Sequence, residues 1–194
     1  LTQSSATGDA SHAFRSAAFT VVSINTTTGF VTNDFNLWPE YLKLFLLAIM
    51  MVGGCSGSTS GSFKVIRIII LLKIIMRELK NLVHPRAIFH VKVGDKTVDA
   101  DDLSNVAALT FLFIGFTALG GVILSSMGVD LTTALSATVA SLFNVGPGLG
   151  DVGAMGNYSS IPAMGKGILI FFMLLGRLEI YGVILLFLPM TWRK

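Results

Sequence analysis

Charge is scarce in this sequence. Its 194 residues include 14 Lys and Arg and 11 Asp and Glu, or 13% of the chain, against 53% hydrophobic residues. Soluble domains carry about a quarter of their residues as charges, so a soluble enzyme is excluded and the chain is a membrane protein. The single cysteine, Cys55, excludes an internal disulfide and a cysteine metal cluster. The three histidines, His12, His84 and His90, fall outside the apolar runs, which leaves no four-ligand intramembrane metal site. A net charge of +3 is too small and too unevenly placed to imply nucleic acid. The chain opens on Leu1, with no charged n-region and cleavage site ahead of its hydrophobic segments, and reads as a fragment of something longer.

What is present is hydrophobic length. At 1.5 Å per residue, Val106 to Met127 and Ile168 to Leu188 are long enough to cross about 30 Å of hydrocarbon. A third candidate runs from Tyr41 to Val52, breaks over Gly53 to Gly61, and resumes from Phe63 to Leu82 with Lys64, Arg67, Lys73 and Arg77 embedded in it. Non-helical backbone at membrane depth persists only where protein or a water-filled cavity satisfies it. The break therefore reads as a lining. Eight of the 14 basic residues lie between Lys64 and Lys96, and Arg193 and Lys194 follow at the end, so both regions are expected in the cytoplasm. Between them, Phe89 to Val98 alternates around Gly94-Asp95 as a short β-hairpin, with Asp99, Asp101 and Asp102 leading into the next helix.

Two apolar stretches are too short to span, Ala13 to Ile24 and Thr132 to Phe143, and read as re-entrant half-helices of roughly 18 Å. Placing Gly29 over Gly146 without gaps brings Asp34 onto Asp151, Val22 onto Val139 and Ala17 onto Ala134. The order half-helix, glycine-bearing loop, polar segment and inward helix thus occurs twice in one orientation. The C-terminal end of a half-helix carries partial negative charge and favours a cation. A following extended loop could offer successive carbonyls in place of a hydration shell. The competing reading takes Thr26 to Phe30 and Asn144 to Gly150 as ordinary turns.

These residues resemble a known family, the Trk/Ktr/HKT superfamily of potassium transporters, and most closely its bacterial Trk-type subunits. The resemblance is carried by Thr26-Thr27-Thr28-Gly29-Phe30, by Gly53 to Gly61, by Asn144-Val145-Gly146-Pro147-Gly148-Leu149-Gly150, and by Gly176-Arg177-Leu178-Glu179. It implies an all-α membrane fold of tandem helix–pore-loop–helix repeats with a short cytoplasmic β-hairpin. Residues 1–82 would be the end of the third repeat, 83–102 a cytoplasmic hairpin and linker, and 103–194 the fourth repeat. Thr27, Thr28 and Gly29, with Asn144, Val145 and Gly146, would line a potassium filter mainly through backbone carbonyls. Potassium is then cargo, and the protein is not an enzyme. The resemblance further implies a bacterial inner membrane, periplasmic filter loops, a homodimer of the full-length subunit, and a cytosolic TrkA-like nucleotide-binding ring that opens the gate.

The resemblance makes the segment below the filter an intramembrane gating loop, with Gly53, Gly54, Ser56, Gly57, Ser58, Thr59 and Gly61 as its residues. Small residues let such a loop change conformation at little steric cost, although a Gly-rich helix contact is the alternative. Arg177, near the middle of Ile168 to Leu188, would be costly in hydrocarbon unless it faces a cavity or a partner. It is read as an electrostatic barrier in the pore. Glu179, two residues on, does not share its helix face. Lys64, Arg67, Lys73, Arg77 and Lys80 serve either lipid anchoring or docking of the cytosolic regulator.

Two chemistries are set aside. Gly54-Cys55-Ser56-Gly57 fits the glycine-x-serine-glycine pattern of rhomboid proteases, but no histidine lies within a span to activate Ser56. Gly57 to Gly61 lacks the Lys-Ser or Lys-Thr pair of a phosphate loop. The stronger rival is a secondary transporter with broken helices for another cation or small substrate. Same-sense repeats disfavour it, since carriers of that kind place their repeats in inverted orientation.

Overall fold

The computed structural model describes residues 10–54, 63–84, 89–94, 96–178 and 180–183. Among them the chain forms six α-helices, α1 (Ala10–Asn25), α2 (Glu40–Met51), α3 (Val65–Val83), α4 (Ala100–Ser126), α5 (Leu131–Leu142) and α6 (Ala163–Arg177). Two short strands, β1 (Lys92–Val93) and β2 (Lys96–Thr97), pair antiparallel between α3 and α4.

Helix α5 explains the arrangement. Its sequence, LTTALSATVASL, has small or slender side chains on every face, and all residues from Thr133 to Leu142 except Leu135 are buried. A helix packed on all sides belongs at the centre. Helices α4 and α6 pack along it, and α2 also reaches it. Small residues permit the close approach: a Cβ at Gly120 of α4 would meet Thr138 Cγ2 at 2.5 Å and run into the Phe172 ring of α6. At 12 residues α5 is about 18 Å long, far short of a bilayer crossing. By length and composition, Asp101–Ser126 is the one helix among the described residues that could cross a membrane.

Several boundaries differ from those expected. Helix α1 includes Ser11, His12 and Asn25, because the helical hydrogen-bond ladder runs past the apolar window. Helix α4 starts at Ala100 rather than Val106, with Asp101 and Asp102 in its first turn, where carboxylates complement the helix dipole. Helix α6 starts at Ala163, directly after Pro162, rather than at Ile168. Its regular part ends at Arg177, so Arg177 closes α6 instead of sitting in mid-helix. Residues 180–183 are helical again, while Glu179 and 184–188 of the expected span lie outside the described residues.

The hairpin forms around Gly94 at φ +60°, with Lys92 opposite Thr97 and Val93 opposite Lys96. It is fastened to the helices by Val91, buried with Ile70 of α3 and Leu103 of α4, and by the Lys73 ammonium, which donates to the Lys92 carbonyl.

The triple contact at Gly120 yields a direct test. Replacing it with Val forces three well-packed helices apart, an overpacking cost of about 1–3 kcal/mol. Thermal unfolding of the full-length protein in detergent should show Gly120→Val melting several degrees below the parent.

Candidate ion-filter site

The two glycine-bearing loops share one backbone motif. After α1, Thr27 N–H bonds to the Ile24 carbonyl at 3.0 Å and Thr28 N–H to Ser23 at 2.9 Å. After α5, Asn144 N–H bonds to Ser141 at 3.2 Å and Val145 N–H to Ala140 at 2.9 Å. This is the Schellman closure of a helix, in which a left-handed residue directs two amides back onto carbonyls of the last turn. Thr27 and Asn144 supply that residue, each at φ +55°. Asparagine tolerates the conformation, but a β-branched threonine is strained in it, a cost of about 1–3 kcal/mol.

Two residues on, the glycines also have positive φ, +76° at Gly29 and +105° at Gly146. Gly29 N–H converges on the same Ser23 oxygen at 3.3 Å, and Gly146 N–H on the same Ala140 oxygen at 3.5 Å. Neither loop is plainly extended. An extended strand turns successive carbonyls to opposite sides. Here both amides of a pair face the half-helix, and because every described peptide is trans, the carbonyls of Thr27 and Thr28, and of Asn144 and Val145, face away from it. Each loop presents a short row of oxygens on the side opposite its helix.

The loops also meet. A Cβ at Gly29 would lie 2.5 Å from the Val145 carbonyl oxygen and 3.1 Å from Pro147 Cδ, so only glycine fits there. At Gly146 an added Cβ would meet nothing within 4 Å, and the constraint is φ alone. The expected filter residues of both repeats thus lie side by side.

Surrounding residues that the sequence reading did not single out hold the loops. The Asn36 side chain bridges the two loop units, its Nδ2 donating to the Gly150 carbonyl at 2.8 Å and its Oδ1 accepting Gly150 N–H at 3.0 Å. Ser136, inside α5, donates to the Leu149 carbonyl and accepts Leu149 N–H, both at 2.9 Å. Thr133 Oγ1 accepts Asp151 N–H at 3.2 Å. Tyr158 donates its hydroxyl to the Gly146 carbonyl at 2.7 Å, and burial pushes its phenol pKa up, which keeps it a donor. A buried hydroxyl within an apolar half-helix was the available signal for Ser136. Asn36 and Tyr158 act across distances that periodicity does not encode.

The other expected residues are placed as follows. Gly53 N–H bonds to the Phe63 carbonyl at 3.2 Å, and the Gly54 carbonyl, at a residue with φ +74°, accepts Val65 N–H at 3.2 Å. The two ends of the break in the α2–α3 helix are therefore tied together. Ser56, Gly57, Ser58, Thr59 and Gly61 lie outside the described residues. Phe63 packs edge-on to Phe113 of α4 at 5.5 Å, and Phe113 stacks on Phe143 at 5.0 Å, one residue before Asn144. Beside this aromatic row is an apolar cavity of about 500 Å³ that also touches Met51, Val52 and Leu135. Arg177 is exposed at the end of α6. Its neighbour Gly176 abuts the foot of the second loop: a Cβ there would run into the Leu142 carbonyl oxygen, and Asn144 Nδ2 donates to the Met173 carbonyl at 3.2 Å. Among the described residues no group of three His, Cys, Asp or Glu could hold a metal ion.

Among the described residues these features define a mostly helical protein with one bilayer-length helix, two short loop-terminated helices and paired carbonyl-bearing loops. Comparison with known proteins gives the family. The model of the TrkH family, described as cation transport protein, matches residues 2–194, and the chain belongs to that family. It is 46% identical over 182 residues to the Trk system potassium uptake protein TrkH of Halomonas elongata, covering 93% of this chain and 37% of that protein. It is 41% identical over 178 residues to the protein of the same name from Escherichia coli K12, covering 92% of this chain and 36% of that one. The crystal structure of the potassium transporter TrkH from Vibrio parahaemolyticus superposes with a TM-score of 0.85 at 41% identity, covering 94% of this chain and 38% of that chain. The chain thus spans well under half the length of these relatives.

The contact between α6 and the second loop predicts opposite signs for two identical substitutions. Gly176→Ala drives a methyl into the Leu142 carbonyl and should lower the melting temperature of the full-length protein markedly. Gly167→Ala, in the same helix with nothing within 4 Å of the added carbon, should leave it unchanged or raise stability by about 0.4–1 kcal/mol.

Proposed function

We propose that the chain is a portion of a potassium-translocating subunit of the bacterial inner membrane, and that K⁺ passes the loops 27–29 and 144–146 in contact with their backbone carbonyls. The observation that carries this reading is the repeated motif: two half-helices of one chain end in the same amide pairing, turn carbonyls away from the helix, and bring the two loops into contact at Gly29 and Val145. Carbonyl rows of this kind replace the hydration shell of a monovalent cation. The partial negative charge of two helix C-termini adds to the attraction.

Transport in the same-named relatives, described as potassium uptake proteins, supports the choice of ion. In this reading residues 1–82 and 103–194 are parts of two successive repeats, the hairpin lies in the cytoplasm, and the loops open to the periplasm. The segment from Gly53 to Gly61 obstructs the path below the filter. Arg177, just past the foot of the second loop, raises a barrier that movement of this segment alters. A cytosolic nucleotide-binding ring controls the gate, and the full-length subunit is a homodimer. The protein moves an ion and does no covalent chemistry.

The test is ⁸⁶Rb⁺ uptake into proteoliposomes holding the full-length protein, in competition with K⁺ and Na⁺. Serine at Gly146 must adopt a φ that L-residues disfavour by about 1–2 kcal/mol, so Gly146→Ser should cost roughly tenfold in preference for K⁺ over Na⁺. Arg177→Ala should raise the flux. Uptake that is absent, or unaffected by both variants, would count against a pore at these loops and favour a carrier.

A further inference from the structure

The two loop units differ in one built feature. The second has six more residues between its aspartate and its proline, Asp151 to Pro162, than the first, Asp34 to Pro39. Each unit places a capped 3₁₀ turn just ahead of its proline, Phe35–Leu37 in the first and Tyr158–Ser160 in the second, and the aromatic ring of the second reaches back to the loop. The phenol donates to the Gly146 carbonyl at 2.7 Å. In the first unit the corresponding position of the turn is Phe35, which is buried and has no hydroxyl to donate.

The turn is itself anchored. Asn157 Oδ1 accepts Ser159 N–H at 2.9 Å, Lys166 Nζ from α6 donates to the Ser159 carbonyl at 3.3 Å, and the N–H of buried Ile161 bonds to the Tyr158 carbonyl at 3.3 Å. The Gly146 carbonyl belongs to the Gly146–Pro147 peptide, which has no N–H to bond back to α5, and space is open on the Cβ side of Gly146. A carbonyl oxygen has two lone pairs, so one can accept the phenol while the other faces a cation. Na⁺ is smaller than K⁺, and carbonyls must close inward to coordinate it. A carbonyl tethered from behind resists that closure.

We infer that Tyr158 is a selectivity-setting positioning residue, which holds the Gly146 carbonyl at the spacing suited to K⁺ and opposes its collapse onto Na⁺. The inference rests on the proposal that residues 144–146 line the ion path. It makes ion preference asymmetric between the repeats, with the tethered second loop stricter than the first.

The experiment is ion competition against ⁸⁶Rb⁺ uptake with the full-length protein, comparing the parent, Tyr158→Phe and Asn157→Ala. Phenylalanine keeps the ring packing and removes only the hydroxyl. Loss of one hydrogen bond should improve Na⁺ competition relative to K⁺ by about fivefold in Tyr158→Phe. Asn157→Ala, which removes an exposed cap of the turn, should shift the ratio the same way by less. If Tyr158 were only structural, uptake of both ions would fall by one factor with the ratio unchanged, and that result overturns the inference. Should Tyr158→Phe fail to accumulate, an unchanged ratio in Asn157→Ala overturns it equally. A parent with no preference for K⁺ removes the proposed function as well, whereas a selective parent with unaltered variants removes the role of Tyr158 alone.

Discussion

Everything in this chain depends on how two short helices end. In hydrocarbon an unpaired amide or carbonyl costs several kcal/mol, so backbone that stops being helical at membrane depth needs partners immediately. After α1 and after α5 the left-handed residues Thr27 and Asn144 fold the next amides back onto the last helical turn. That satisfies the donors and leaves a row of acceptors pointing the other way. A site made of oxygens alone, held rigid by its own amides, follows from this geometry without any charged side chain.

The rest of the structure keeps the two rows in place. Small residues on every face of α5 let α4 and α6 close around it, with Gly120 and Gly176 at the tightest points. Ser136 and Thr133 tether the returning limb of the second loop from within α5. Asn36 binds the segment after the first loop to the second loop through the backbone of Gly150. The row from Phe63 through Phe113 to Phe143 joins the break between α2 and α3 to the foot of the second loop by packing alone. The break and the second loop are thus joined by a short, stiff row of rings.

Much of this was legible in the sequence, because hydrophobic length and glycine spacing are local signals. Short apolar runs gave away α1 and α5, the Gly-rich interruption marked the break after α2, and the register placing Gly29 over Gly146 is the register in which the backbone hydrogen bonds repeat. Hydrophobicity failed at boundaries, where hydrogen bonding decides: Asp101 and Asp102 are helical for dipole reasons, and Pro162 rather than the first bulky residue starts α6. The regular part of α6 ends at Arg177, a boundary that an apolar window does not register. The alternation of backbone handedness was hidden by Thr27, a residue type that seldom adopts positive φ. Asn36 and Tyr158 were invisible, because their partners are backbone groups in loops whose path only the packed helices determine.

The central claim is that the two loops together coordinate a monovalent cation. Anomalous diffraction from crystals of the full-length protein soaked in Rb⁺ tests it most directly, since the heavier ion reports its own position. The account predicts a peak within direct coordination distance of the Thr28 and Val145 carbonyl oxygens. Full occupancy elsewhere along the chain, with no density between these two loops, would contradict it.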